Sequence, residues 1–106
     1  MTAIAIFAGR FAGRVAIVTG GSGAFGAAIC RRLVAEGAQV TVADVNDAKG
    51  GALVTELGPN ARYQHVDVAV AVQVEAMVAD TVAAFGGLDI LVNNAGLRTA
   101  RSRCGS

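Results

Sequence analysis

Residues 15–26 read Val-Ala-Ile-Val-Thr-Gly-Gly-Ser-Gly-Ala-Phe-Gly, an apolar, β-branched run that passes straight into a glycine-dense turn. From Ala24 to Glu36 the composition is helical, and Gly37 supplies the stop. A buried strand feeding a helix through so short a turn leaves few arrangements. The helix packs back over the strand, and the next strand lies parallel to the first with a right-handed crossover. This unit constrains the fold more than any other stretch of the chain.

The remaining sequence repeats the alternation. Strand signals at 14–19, 39–43 (ending at Asp44), 62–66 and 88–92 alternate with helical stretches at 24–36, 47–57 and 70–85. The first helix carries Phe25, Ala28, Ile29 and Leu33 on one stripe. The second opens at Asn46 or Asp47 and closes at Gly58-Pro59. The third has Val70, Val74, Met77, Val78, Thr81, Val82 and Phe85 at three- and four-residue spacings. The order βαβαβαβ predicts an α/β fold, a Rossmann-type doubly wound parallel sheet with strand order 3-2-1-4.

Composition fits one such domain. The chain has 106 residues, 54% of them hydrophobic and 16% charged, which describes a core-rich globular sequence. A net charge of +1 offers no electrostatic case for binding nucleic acid or an anionic membrane. No apolar run approaches a membrane span, and the first nine residues lack the basic start and long apolar core of a secretory signal. A cytoplasmic protein is expected. Cys30 and Cys104 have no metal-ligand spacing and suggest no disulfide framework; Cys30 reads as a small buried side chain. Residues 1–13, with most of a tandem Phe-Ala-Gly-Arg, read as a variable leader, 14–96 as the folded unit, and 97–106, with Arg98, Arg101 and Arg103, as an irregular basic tail.

The glycine turn also carries chemistry. Without Cβ atoms, backbone N–H groups can close on a phosphate while the following helix points its positive end at it. Gly21-x-Gly23-x-x-Gly26 matches the general G-x-G-x-x-G string. Asp44 lies eighteen positions beyond Gly26, at the end of the next strand. A carboxylate there can accept hydrogen bonds from both hydroxyls of an adenosine ribose and repel a 2′-phosphate. No Arg or Lys lies in the loop, and Val45 follows the acid. The plainer alternatives are Asp44 as a turn residue before the second helix and Asp67 as a cap for the third.

Thr19-Gly20-Gly21-Ser22-Gly23-Ala24-Phe25-Gly26 resembles the T-G-x-x-x-[G/A]-x-G loop of short-chain dehydrogenases/reductases, with Ala24 where that family more often has glycine. Asn93-Asn94-Ala95-Gly96 resembles the family's N-N-A-G motif after the fourth strand, and Asp67-Val68 follows the third. The likeness runs from about residue 11 to 96. It implies an NAD(P)-dependent oxidoreductase, with Asp44 favouring NAD(H) over NADP(H). By this resemblance Gly20, Ser22, Phe25 and Gly26 line the pyrophosphate, with Gly23 in the same loop and Thr19 tying the loop to neighbouring backbone. Asp44, with Val45 beside it, meets the ribose; Asp67 and Val68 hold the adenine by a side-chain acceptor and a backbone donor. Asn94, Ala95 and Gly96 complete the cofactor site. The asparagines do so in a largely structural role, and Gly96 lets the backbone approach the ribose.

The family's proton-transfer pair, Tyr-x-x-x-Lys with a serine one strand earlier, has no match. The single tyrosine, Tyr63, follows the single lysine, Lys49, by fourteen positions, and the serines are Ser22, Ser102 and Ser106. His65, on the third strand, reads as packing or surface. No catalytic or metal-binding residue is expected. The chain stops at Ser106, where such a fold is about half built, so the expectation is the cofactor half of an oxidoreductase without its own chemistry. Two readings compete with it. One is a stand-alone, non-catalytic dinucleotide-binding module. The other is a half-domain completed by a partner, with self-association through the open strand edge at 88–92.

Overall fold

The computed structural model describes residues 11–94. Seven elements follow in order: β1 (Val15–Thr19), α1 (Ala24–Ala35), β2 (Gln39–Asp44), α2 (Asp47–Leu57), β3 (Ala61–His65), α3 (Ala71–Phe85) and β4 (Ile90–Asn93). All strand pairs are parallel and the sheet order is β3-β2-β1-β4, the Rossmann-type arrangement that the alternation predicts. Thr19 lies beside Ala43 and Asn93, and Asp44 beside His65, so all four strands finish on one edge. The strand order reverses between β1 and β4, and the carboxyl edge at that reversal is where open α/β sheets bind ligands.

The two central strands explain the apolar runs. β1 is buried throughout and β2 over its four inner residues, because helices cover both faces. Alternation then sorts the side chains. Ala16, Val18, Val40 and Val42 pack with Ala27, Cys30, Leu33 and Leu53 under α1 and α2, and Phe11 joins them from before β1. Ile17, Ala43 and Val66 pack with Met77 of α3 on the other face. That second face is also held by polar contacts. The fully buried hydroxyls of Thr41 and Thr81 are 2.8 Å apart, and Gln64 Nε2 donates to Asp80 Oδ2 at 2.9 Å. Cys30 is buried, and that burial pushes its thiol up to about 12 against the weaker pull of the Arg31 charge, so it serves as packing.

The helix faces depart from the stripes in the sequence. In α1 the buried residues are Gly26, Ala27, Cys30 and Leu33, whereas Phe25 is 50% exposed and Ala28 lies in solvent. The phase is set by Gly26, which must sit against the preceding turn and so rotates Phe25 outward. In α3 only Met77 and Thr81 are buried, flanked by Val74 and Val78, while Val70 and Val82 are exposed. One helix on a sheet touches it along a narrow line, and the flanks of a wide apolar stripe stay free. β4 starts at Ile90 rather than 88. Asp89 Oδ2 accepts the Val15 N–H at 2.9 Å, so a side chain stands where a ladder carbonyl would. None of the described helices is long and apolar enough to cross a membrane.

Met77 is the apolar pivot of α3 on the sheet. Met77→Ala is expected to lower unfolding free energy by about 2–4 kcal/mol through lost burial and the cavity left behind. Val72→Ala, on the solvent side of the same helix, is expected to stay within about 0.5 kcal/mol. Urea titration of both variants checks the contrast.

Candidate functional site

The turn after β1 is built by close backbone approach. Gly20 has φ +66°, a left-handed conformation in which a side chain is strained, and its N–H still bonds the Ala43 carbonyl at 2.7 Å. A Cβ at Gly26 would collide with the Gly20 carbonyl oxygen, so the first turn of α1 rests directly on the turn before it. Gly23 is different. A Cβ there would meet only the Gly20 oxygen at an ordinary 3.6 Å, so protein packing does not demand a glycine. Gly23 is also the N-cap of α1, and among the described residues no side chain caps the helix and no acid lies in its first turn. Its leading N–H groups therefore have no side-chain cap among the described residues. Phe25 stands exposed beside them.

Asp44 ends β2 and reaches into this loop. Its Oδ2 accepts from the Ser22 N–H at 3.1 Å and from the Ser22 hydroxyl at 2.5 Å, while Oδ1 accepts from the Val45 N–H at 2.7 Å. Partial burial pushes the Asp44 carboxyl up, but the hydrogen bonds from the Ser22 hydroxyl and from the Val45, Ser22 and Asn46 amides outweigh it. The net shift is below the ordinary carboxylate range. Val45, the next residue, is 56% exposed.

The end of β4 closes the loop from the other side. Asn94 Nδ2 donates to the Gly20 carbonyl at 3.2 Å, and the Thr19 hydroxyl lies 3.0 Å from Asn93 Oδ1 and 3.3 Å from the Val92 carbonyl. Thr19 thus ties the loop region to its neighbour, as the sequence suggests. Asp67 lies on the same edge beyond β3, but its hydrogen bonds stay within its own turn. Its Oδ1 accepts from the Ala69 N–H at 2.9 Å and its own N–H donates to Gln73 Oε1 at 2.8 Å. It shapes the entry to α3 without capping the helix itself, whose N-cap, Val70, makes no side-chain bond. Val68 packs beside the Ile17–Met77 cluster. Ala95 and Gly96 lie outside the described residues.

Hydrogen bonds and packing therefore join Gly20, Ser22, Gly23, Gly26, Asp44 and Asn94. Phe25 and Val45 stand exposed on the same edge. Sequence reasoning missed a cluster behind Asp44: the Tyr63 hydroxyl donates toward the Asp44 carbonyl at 2.9 Å and Asp47 Oδ1 at 2.5 Å, and His65 Nδ1 lies 2.8 Å from the same Asp47 oxygen. The available signal was the i, i+2 spacing of Tyr63 and His65, which puts both on one strand face. Only the register opposite Asp44 gives that spacing meaning.

A parallel sheet reversing order between β1 and β4, with a glycine loop and an uncapped helix at its carboxyl edge, defines a Rossmann-type α/β domain. Within that class the chain belongs to the short-chain dehydrogenase family of oxidoreductases, whose profile matches residues 14–104. The chain is 49% identical over 89 residues to the 3-alpha-(or 20-beta)-hydroxysteroid dehydrogenase of Mycobacterium tuberculosis, spanning 84% of this chain and 34% of that protein. It is 47% identical over 89 residues to the momilactone A synthase of Oryza sativa subsp. japonica, spanning 83% of this chain and 32% of the relative. The crystal structure of 3-ketoacyl-(acyl-carrier-protein) reductase from Brucella melitensis complexed with NADH superposes with a TM-score of 0.74 at 31% identity. That match covers 76% of this chain and 34% of the reductase. The chain spans about a third of the length of the relatives it matches.

The depressed Asp44 carboxyl links stability to pH. Its contribution is present above the ordinary value of 3.8 and is lost as pH falls below that through the lower folded-state value. The stability difference between the parent chain and Asp44→Asn is therefore expected to hold above about pH 5 and to shrink as pH falls below about 4. Urea titrations across that range measure it; a difference independent of pH contradicts the hydrogen-bonded carboxylate.

Proposed function

We propose that residues 14–96 form the cofactor half of a short-chain dehydrogenase and bind NAD(H), in preference to NADP(H), at the carboxyl edge of the sheet. The observation that carries this reading is the pairing of the uncapped α1 N-terminus with Asp44 through Ser22. One loop then offers free N–H donors for a pyrophosphate and a fixed carboxylate for a ribose diol. Gly23, at which packing demands no glycine, supports a cradle left open for a ligand. In this reading Gly20, Ser22, Gly23, Phe25 and Gly26 hold the pyrophosphate, Asp44 and Val45 the adenosine ribose, and Asp67 and Val68 the adenine. Asn94, Ala95 and Gly96 back the loop and the nicotinamide ribose. The bound nicotinamide supplies hydride donation or acceptance. The complex of the similar Brucella reductase with NADH supports binding of a dinucleotide cofactor.

We also propose that the 106-residue polypeptide does not turn over a substrate alone. Its single tyrosine spends its hydroxyl inside the β2–α2 turn, and its single lysine, Lys49, lies in α2, so neither serves a family-type proton relay. The neighbouring reading is a half-domain completed by another chain at β4, which ends the described sheet and where Leu91 is 55% exposed. Light scattering across a concentration series tests it, and a strict monomer contradicts it.

Calorimetric titration tests the main reading. NADH is expected to bind more tightly than NADPH, and Asp44→Ala to weaken NADH by about tenfold or more while leaving NADPH near its starting affinity. Equal affinity for the two cofactors, or an unaffected Asp44→Ala, contradicts it. Following NADH absorbance with a panel of alcohols, ketones and sugars is expected to give no turnover. Turnover that disappears in Gly20→Val would identify a catalytic group among these residues.

A further inference from the structure

Tyr63 makes contacts beyond what core packing needs. Its ring lies on α2 at Gly50, where a Cβ would collide with the ring carbons, so the helix leaves it a seat. From there the hydroxyl reaches both ends of the short turn between β2 and α2, at the Asp44 carbonyl and at Asp47 Oδ1. The Asp44 carbonyl also accepts the Val66 N–H at 2.9 Å, while the carboxylate of the same residue is held from the opposite side by Ser22 and Val45. Asp44 is thus fixed through its backbone on one side and its side chain on the other. Burial, then the hydrogen bond and charge of Asp47, push the Tyr63 hydroxyl well above its ordinary range, so it remains a proton donor at any working pH.

A carboxylate tells a ribose hydroxyl from a ribose phosphate only if it cannot retreat. One free to swing loses its pre-organised bond to the hydroxyl and, by moving aside, its repulsion of the phosphate. From these contacts we infer that Tyr63 is a positioning residue for cofactor choice, holding the backbone of Asp44 so that its carboxylate stays aimed at the adenosine ribose. This rests on the assignment of Asp44 to the ribose made above.

The test is a double-mutant cycle on the 106-residue chain with NADH and NADPH as the probes. Tyr63→Phe keeps the ring on Gly50 and removes only the hydroxyl, and a thermal melt checks that the fold is intact. The NADH dissociation constant is expected to rise about 3- to 10-fold, the worth of one hydrogen bond, with NADPH unchanged or tighter. In an Asp44→Ala background Tyr63→Phe is expected to add less than about twofold, because the two residues act through one group. By NMR, amide exchange at Ser22 and Val45 is expected to quicken in Tyr63→Phe while β1 amides stay unchanged.

Equal weakening of both cofactors, full additivity with Asp44→Ala, or unaltered exchange at Ser22 and Val45 overturns the inference and leaves Tyr63 a packing residue. An Asp44→Ala variant with an unaltered NADH-to-NADPH ratio removes the ribose assignment itself, and the specificity role with it. A ratio that Asp44→Ala shifts and Tyr63→Phe does not overturns the role of Tyr63 alone.

Discussion

The carbonyl oxygen of Gly20 is the point on which the carboxyl edge of this molecule is assembled. The Gly23 N–H donates to it at 3.3 Å and the Asn94 side chain at 3.2 Å, and Gly26 approaches so closely that no Cβ could stand between them. These contacts fix α1 on β1, shape the loop, and join the end of β4 to both. The phase of α1 follows, since a helix that begins with Gly26 against the turn must bury Ala27, Cys30 and Leu33 and turn Phe25 outward. The open helix N-terminus follows as well, because the residue at its cap is a glycine with no side chain to offer.

The two faces of the sheet are held by different physics. Under α1 and α2 the contact is almost wholly apolar, and burial of Val18, Val40, Val42, Cys30 and Leu33 supplies the cohesion. Under α3 a small apolar cluster around Ile17 and Met77 is supplemented by hydrogen bonds. Arg62 Nη1 donates to Thr41 Oγ1 at 3.2 Å, beside the Thr41–Thr81 contact and the Gln64–Asp80 bond. Such bonds add little net free energy, but leaving one partner alone is costly, so they specify where α3 sits more than how tightly it is held. Among the described residues Gln64 Oε1 is buried without a partner, a cost borne on that same face.

Acidic groups gather where β2 and β3 end. Asp44 faces the glycine loop and Asp47 faces Tyr63 and His65, with the turn Asp44–Asp47 between them. The Tyr63 and His65 hydrogen bonds hold the Asp47 carboxyl below its ordinary range, opposed only by slight desolvation. Each carboxylate has its own donors, which lets two acids stand three residues apart without either needing a proton.

Local pattern was enough to read the order of the elements, the parallel 3-2-1-4 sheet and the glycine turn, because β-branched runs, helical spacing and turn glycines are properties of adjacent residues. It was enough for Cys30 as packing and for Asp44 at the end of the second strand, while Thr19 as a tie came from the family resemblance. The helix phases were not legible. Phe25 and Ala28 share a stripe with Leu33, and only the collision that excludes a Cβ at Gly26 shows that Phe25 and Ala28 face solvent while Leu33 is buried. Nor were the partners of Asp89, Tyr63 and Asn94. Val15 lies 74 positions from Asp89, Asp44 19 from Tyr63 and Gly20 74 from Asn94, and strand register alone brings them together. A sequence states which residues can form a strand, a turn or a helix. Which atoms then meet depends on pairing between distant strands, and that is settled only when the whole sheet packs at once.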